Sequence, residues 1–207
     1  MGALKGSITF TKFKARGELP EGFRDTFIER LRLRAFRPLS PLEDAPQSVG
    51  WCSIENLLDL EIEHGKVYFE AYLSIGLRID TWQIPGSLFK AHFAEAEREY
   101  LARKGREKLG RQEKEELKAV VTKRLRAQLM PVSKLIDLSW NLDTGAVRFW
   151  SQSARLHELL DEIFEDTFKL TLLPESPYTT AARLGLSELE SSVFAELKPT
   201  AFHVAVF

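Results

Sequence analysis

Hydrophobic positions recur along this chain with two different periods, and each change of period marks a new element. In "KVYFEAYLSIGLRID", residues Val67, Phe69, Ala71, Leu73, Ile75, Leu77 and Ile79 fall on every second place. That run predicts one long strand, with Tyr68, Glu70, Tyr72, Ser74, Arg78 and Asp80 on its wet side. Pro85 and Gly86 end it. "KLIDLSWNLDTGAVRFW" predicts a hairpin: Ile136, Leu138, Trp140 and Leu142 alternate, "DTG" turns, and Val147 and Phe149 alternate back. "SITFTKFKA" and "LTLLP" read as further strands, and "AFHVAVF" as a last one.

The helical period takes over elsewhere. Residues Glu21 to Ala35 carry Phe23, Phe27 and Leu31 on one face, and Ala154 to Phe168 carry Leu156, Leu159, Leu160, Ile163 and Phe164. Two more helices are expected at Leu88 to Arg103 and Gln112 to Leu129, joined through Gly105 and Gly110 and closed by Pro131. "SELE" at Ser187 opens a final helix with a capping box. "RPLSPLEDAPQSVGW", with three prolines, reads as an irregular connection. The class is α+β: a mixed or antiparallel sheet with packed helices and a basic helical excursion. It divides into residues 1–85 (strand-helix-strand part of the core), 86–131 (charged helical arm) and 132–207 (hairpin, helix and the rest of the core).

Composition adds little until charge is divided. The 207 residues are 44% hydrophobic and 29% charged, with mean hydropathy −0.20, as in an ordinary soluble globular protein. No apolar run suits a signal peptide or a membrane span, and "MGALKGS" puts Ser7 one place late for myristoylation. Cys52, the only cysteine, can form no internal disulfide, which fits a reducing cytoplasm. The net charge of −1 hides two opposite regions. Arg98 to Arg126 holds eleven Lys/Arg against five Glu, whereas Ser151 onward holds four against nine Asp/Glu.

The cations are unevenly answered by local acids. Lys118 and Arg111 both have Glu115 at helical spacing, and Arg32 has Glu29. Lys123, Arg124 and Arg126 have none, because Lys118 to Met130 contains no acid. Arg30 and Arg34 repeat the pattern one turn apart, and Arg37 extends that patch although Pro38 biases it away from helix. Cations without counter-ions suggest a polyanion; the alternative is that acids from elsewhere in the fold answer them. If DNA is the partner, the contacts are to phosphates and indifferent to sequence, since no helix-turn-helix, zinc finger or aromatic RNA-recognition strand is present.

Catalytic patterns are weak. His64, His92, His157 and His203 are scattered, with no i, i+4 pair and no cysteine partner, so no metal site is expected. "GREKLGRQ" has the glycine spacing of a phosphate loop without its Lys-Ser/Thr pair, and there is no G-x-S-x-G. Glu158, Asp161, Glu162, Glu165 and Asp166 read as the wet face of a helix. Asp59, Glu61 and Glu63 alternate in "DLEIEHGK" and end at Lys66, which resembles an acid-acid-lysine nuclease core, with Gly65 arguing for a turn instead.

Taken in order, these segments resemble the RdgC family of bacterial recombination-associated proteins. The resemblance rests on "GW" at Gly50-Trp51 before a long strand, "WQIPGSLFKAHF", "EREYLARKGREKLGRQEKEELKAVV" leading to "LMP", and "LIDLSWNLDTGAVRFWSQSAR". It runs from about Ile8 to Tyr178 as collinear character rather than one diagnostic motif. It implies a dimeric, ring-like protein that encircles duplex DNA without reading sequence, restrains RecA-driven recombination and sits on the nucleoid. The family's older exonuclease label finds no recognisable active site here. Two departures stand out: "LMPVSK" replaces the family's "LLPRAF", and most of the C-terminal third of longer members is missing. The expectation is therefore a non-catalytic, cofactor-free DNA-binding protein of recombination or replication. Lys104, Arg106, Lys108, Arg111, Lys123, Arg124 and Arg126 would meet phosphates, with Arg30 and Arg34 as a second patch. A carboxylate-based, metal-dependent nuclease and a protein-interaction module, its acidic C-terminal third meeting a neighbour's basic arm, are the alternatives.

Overall fold

The computed structural model describes residues 2–3 and 9–197. Seven strands form one antiparallel sheet: β1 (Thr11–Arg16), β2 (Gln47–Cys52), β3 (Tyr68–Phe69), β4 (Tyr72–Thr81), β5 (Val132–Asn141), β6 (Ala146–Phe149) and β7 (Thr171–Pro174). Their order is β2-β4-β5-β6-β1-β7, with short β3 paired to the start of β4. The helices are α1 (Phe23–Leu33), α2 (His64–Val67), α3 (Gly86–Lys104), α4 (Arg111–Arg126), α5 (Ala154–Phe168), α6 (Pro177–Arg183) and α7 (Glu188–Glu196). The α+β class expected from the sequence is the one observed. The C-terminal strand expected in "AFHVAVF" and the start of the first strand, at Ser7 and Ile8, lie outside the described residues.

Strand alternation decides which face is dry. Leu73, Ile75 and Leu77 stand opposite Trp140, Leu138 and Ile136, and Trp140 and Leu138 stand opposite Val147 and Phe149. All are buried, and Phe13 extends the row onto β1. Onto this face α1 lays Phe27, Ile28 and Leu31, and α5 lays Leu156, Leu160, Phe164 and Phe168. Phe27, Trp140, Phe164 and Phe168 form an aromatic knot, with ring centroids 4.6–5.7 Å apart. Each such side chain contributes about 1.5–3 kcal/mol by leaving water. The amphipathic periods at these two helices were therefore faithful guides.

Two expectations need correction. The strand predicted from Lys66 to Asp80 is broken: Lys66 and Val67 belong to α2, and a tight turn at Glu70 and Ala71 folds β3 back on β4. Glu70 takes a left-handed backbone, φ 54°, which L residues adopt at a cost. Phe69, placed by alternation in the core, is 44% exposed. The second correction concerns the proline-rich connection, which becomes strand from Gln47 onward. There Trp51 N–H donates to Arg34 O (3.0 Å) and Phe36 N–H to Trp51 O (2.8 Å), so the exit of α1 lies against β2.

Candidate nucleic-acid interface

Thr81 at the end of β4 stands opposite Val132 at the start of β5, and all of α3 and α4 is inserted between these two partners. The two helices pack chiefly against each other. Along the seam, α3 buries no residue fully and α4 buries only Val121 and Leu125, while Val120 is 63% exposed. The result is a two-helix arm with little apolar matter and a wide polar surface.

Its tip is clasped by Glu113. That carboxylate accepts from the Gly110 N–H (2.9 Å), completing half of a capping box, and from the Tyr100 hydroxyl of α3 (2.9 Å), with Arg106 at 3.3 Å. These donors, Gly110 N–H first, hold its carboxyl below the ordinary glutamate range. Gly105, left-handed at φ 63°, lets α3 end where the chain must turn.

The expected cations divide into two groups. The side chains of Lys108, Arg111, Lys123 and Arg124 are exposed and make no hydrogen bond or ion pair among the described residues. Lys104 is also exposed, its ammonium 5.9 Å from the Tyr100 ring centre. The others are answered. Arg106 pairs with Glu113. Arg126 lies at the arm's root, its side chain only 14% exposed, held by Asp44 and the Glu43 carbonyl, both at 3.5 Å. Arg34 pairs with Asp166 of α5, and Arg30 donates to the Phe168 carbonyl at the same helix end (3.4 Å). The expectation that Arg34 and Arg126 lack counter-ions is thus corrected: acids remote in sequence supply them. Arg34 and Arg37 also share a groove of about 430 Å³ with Glu162 and Asp166, so that patch is mixed in sign.

Local pairing was only partly as expected. Lys118 bonds Glu115 at 2.7 Å, whereas Arg111 does not reach it, and Arg32 turns to the Ile62 carbonyl (2.8 Å) instead of Glu29. Glu158, Asp161, Glu162 and Glu165 lie exposed along α5. The acid-acid-lysine trio does assemble: Lys66 Nζ lies 2.9 Å from Asp59 and 3.3 Å from Glu61. Asp59 also accepts from the Glu61 N–H, and these bonds, Lys66 first, depress its carboxyl. Lys66 thus occupies the carboxylates itself and staples the loop before α2. Among the described residues no group of three or more His, Cys, Asp or Glu is arranged to hold a metal ion. His203 lies outside them.

One set of cations was overlooked in the sequence. On the sheet face away from α1 and α5, Lys12 stands directly opposite Arg148. The signal was available in "TKFKAR", whose alternation puts Lys12, Lys14 and Arg16 on one side. No helix of the described residues is long and apolar enough to cross a membrane. No family model and no curated protein matches the chain.

Proposed function

We propose that this chain is a sequence-independent duplex DNA-binding protein whose α3–α4 arm grips the phosphate backbone. One observation carries the reading: Lys108, Arg111, Lys123 and Arg124 project together from a thin helical hairpin without carboxylate partners among the described residues, whereas Arg34 and Arg126, off its exposed surface, are paired. Unanswered charge on an exposed rod suits a groove-lined polyanion. Helices that offer no recognition face restrict the contacts to phosphates. Arg106 and Lys104 lie beside this set and add to it. Arg30, Arg34 and Arg126, already engaged, contribute field rather than direct contacts.

The resemblance to the RdgC family supports the same partner. With it come proposals of a homodimer, a place on the nucleoid in the cytoplasm, and restraint of RecA by occupation of duplex. Counterion release is the driving force, and competition for bare duplex is the consequence.

The test is a titration of labelled duplex at two or more salt concentrations, with and without Mg²⁺. Wild-type protein should bind with a steep negative log-log salt slope. Replacing Lys108, Lys123 and Arg124 together by Gln should flatten it by roughly 0.9 per lost phosphate contact. An unchanged slope removes the arm from the interface. Loss of duplex in Mg²⁺ would favour the nuclease reading, and salt-sensitive self-association without DNA retardation the protein-interaction reading.

A further inference from the structure

The polar face of the sheet is organised more closely than a merely wet surface. Four strands contribute one residue each to a straight row: Ser74 opposite Ser139, Ser139 opposite Arg148, and Arg148 opposite Lys12. Two cations placed directly across a ladder repel each other and weaken it. Neither has an ion-pair partner among the described residues. At the other end of the row the serine hydroxyls touch at 3.3 Å and are too small to fill the face. Above them the described residues leave a groove of about 460 Å³.

Its walls are aromatic. Phe69, Tyr72 and Trp150 line it together with Arg148. Phe10 packs on Trp150 at 5.4 Å and lies 5.8 Å from Arg148, continuing the ring surface. The half-exposed Phe69, the residue that alternation misplaced, is oriented here by the turn at Glu70. The Tyr72 hydroxyl faces Asn141 and Arg148, which hold it below the ordinary phenol range. Glu55, exposed, is the one carboxylate in the lining among the described residues.

We infer that this groove seats an unpaired nucleic-acid strand, a base entering between Phe69, Tyr72 and Trp150 and the adjoining phosphates resting on Arg148 and Lys12. Aromatic faces accept any base by stacking, hydroxyls on the floor serve base edges or sugar, and cations along the exit neutralise backbone charge. A groove of about 460 Å³ has room for a base, and only an unpaired strand has a free base face to offer its rings, because the bases of a duplex are already stacked on one another. The surface is therefore distinct from the arm in both location and preferred form of ligand. It rests on the reading above only for the class of partner, nucleic acid.

The experiment compares binding of a labelled oligo-dT of about fifteen nucleotides with binding of a duplex. Four variants are titrated beside the wild type: Lys12→Gln, Arg148→Gln, Glu55→Gln and the arm variant Lys123→Gln/Arg124→Gln. Lys12→Gln and Arg148→Gln should each weaken oligo-dT binding about fivefold to tenfold and change duplex binding less than about twofold. Glu55→Gln should strengthen oligo-dT binding, and the arm variant should weaken duplex selectively. Lys12 and Glu55 are exposed, so their variants keep the fold, and indifference of oligo-dT to both overturns the inference. Wild-type binding of duplex without oligo-dT overturns it alone; binding of neither overturns the duplex reading as well. Oligo-dT binding lost only in the arm variant assigns unpaired strands to the arm and overturns it too.

Discussion

Gly50 shows how one residue can be dictated by its neighbours' backbone. A Cβ there would lie 2.6 Å from Phe36 N and 3.0 Å from Ala35 C, since the exit of α1 crosses β2 at that point. Gly50→Ala should therefore destabilise by about 3 kcal/mol, visible as a lowered melting temperature. The next residue, Trp51, is fully buried and donates from Nε1 to Thr167 (2.9 Å), which in turn donates to the Ile163 carbonyl (2.6 Å). Trp51→Phe keeps most of the ring but strands this chain of bonds, at about 1–3 kcal/mol. Cys52, also buried, has its thiol pushed up to about 12, chiefly by desolvation. It should resist alkylation in native protein at neutral pH and react once denaturant is added, as mass spectrometry would show. The "GW" pair was readable as a signal, but its cause was not. Likewise the unanswered state of Lys123 and Arg124 could be read locally, whereas the partners of Arg34 and Arg126 could not. Asp166 and Asp44 are 132 and 82 residues away from them, and only the tertiary fold brings them together.

At the level of elements, legibility tracked the strength of periodicity. α5 matched its expected bounds because five apolar positions repeat on one face, and the β5–β6 hairpin followed from alternation around "DTG". The break between β3 and β4 was hidden because "FEAY" contains none of the usual turn formers, and Glu70 pays no visible sequence tribute to its φ of 54°. Glu70→Gly should accordingly be neutral or stabilise by up to about 1 kcal/mol in chemical denaturation. In the arm, Glu113 couples the two helices at their tip. Because its carboxyl is held low, its contribution is present above the unfolded value of about 4.3 and is lost as pH falls through the lower folded one. Protection of the amides at residues 105–113, taken relative to their intrinsic exchange rates, should thus be higher at neutral pH and fall in acid. Glu113→Gln should show the faster exchange at neutral pH while leaving the sheet's protection intact.

Over the whole molecule, the near-neutral formal charge of −1 averages over a cationic arm and an acidic α5. Salt should therefore affect partner binding far more than folding. Raising ionic strength should shift the melting temperature little, because the core is apolar and most ion pairs are exposed. The same change should sharply weaken any grip on a polyanion. The overlooked sheet face shows the limit of reading regions by net charge: Lys12 and Arg148 are 136 positions apart, and only strand order makes them neighbours. That strand order has a further implication. Since Thr81 and Val132 face each other, the excursion leaves and re-enters through adjacent rungs. Its length and charge are thus free to drift over generations, as a graft does on settled rootstock, without any renegotiation of the ladder beneath it.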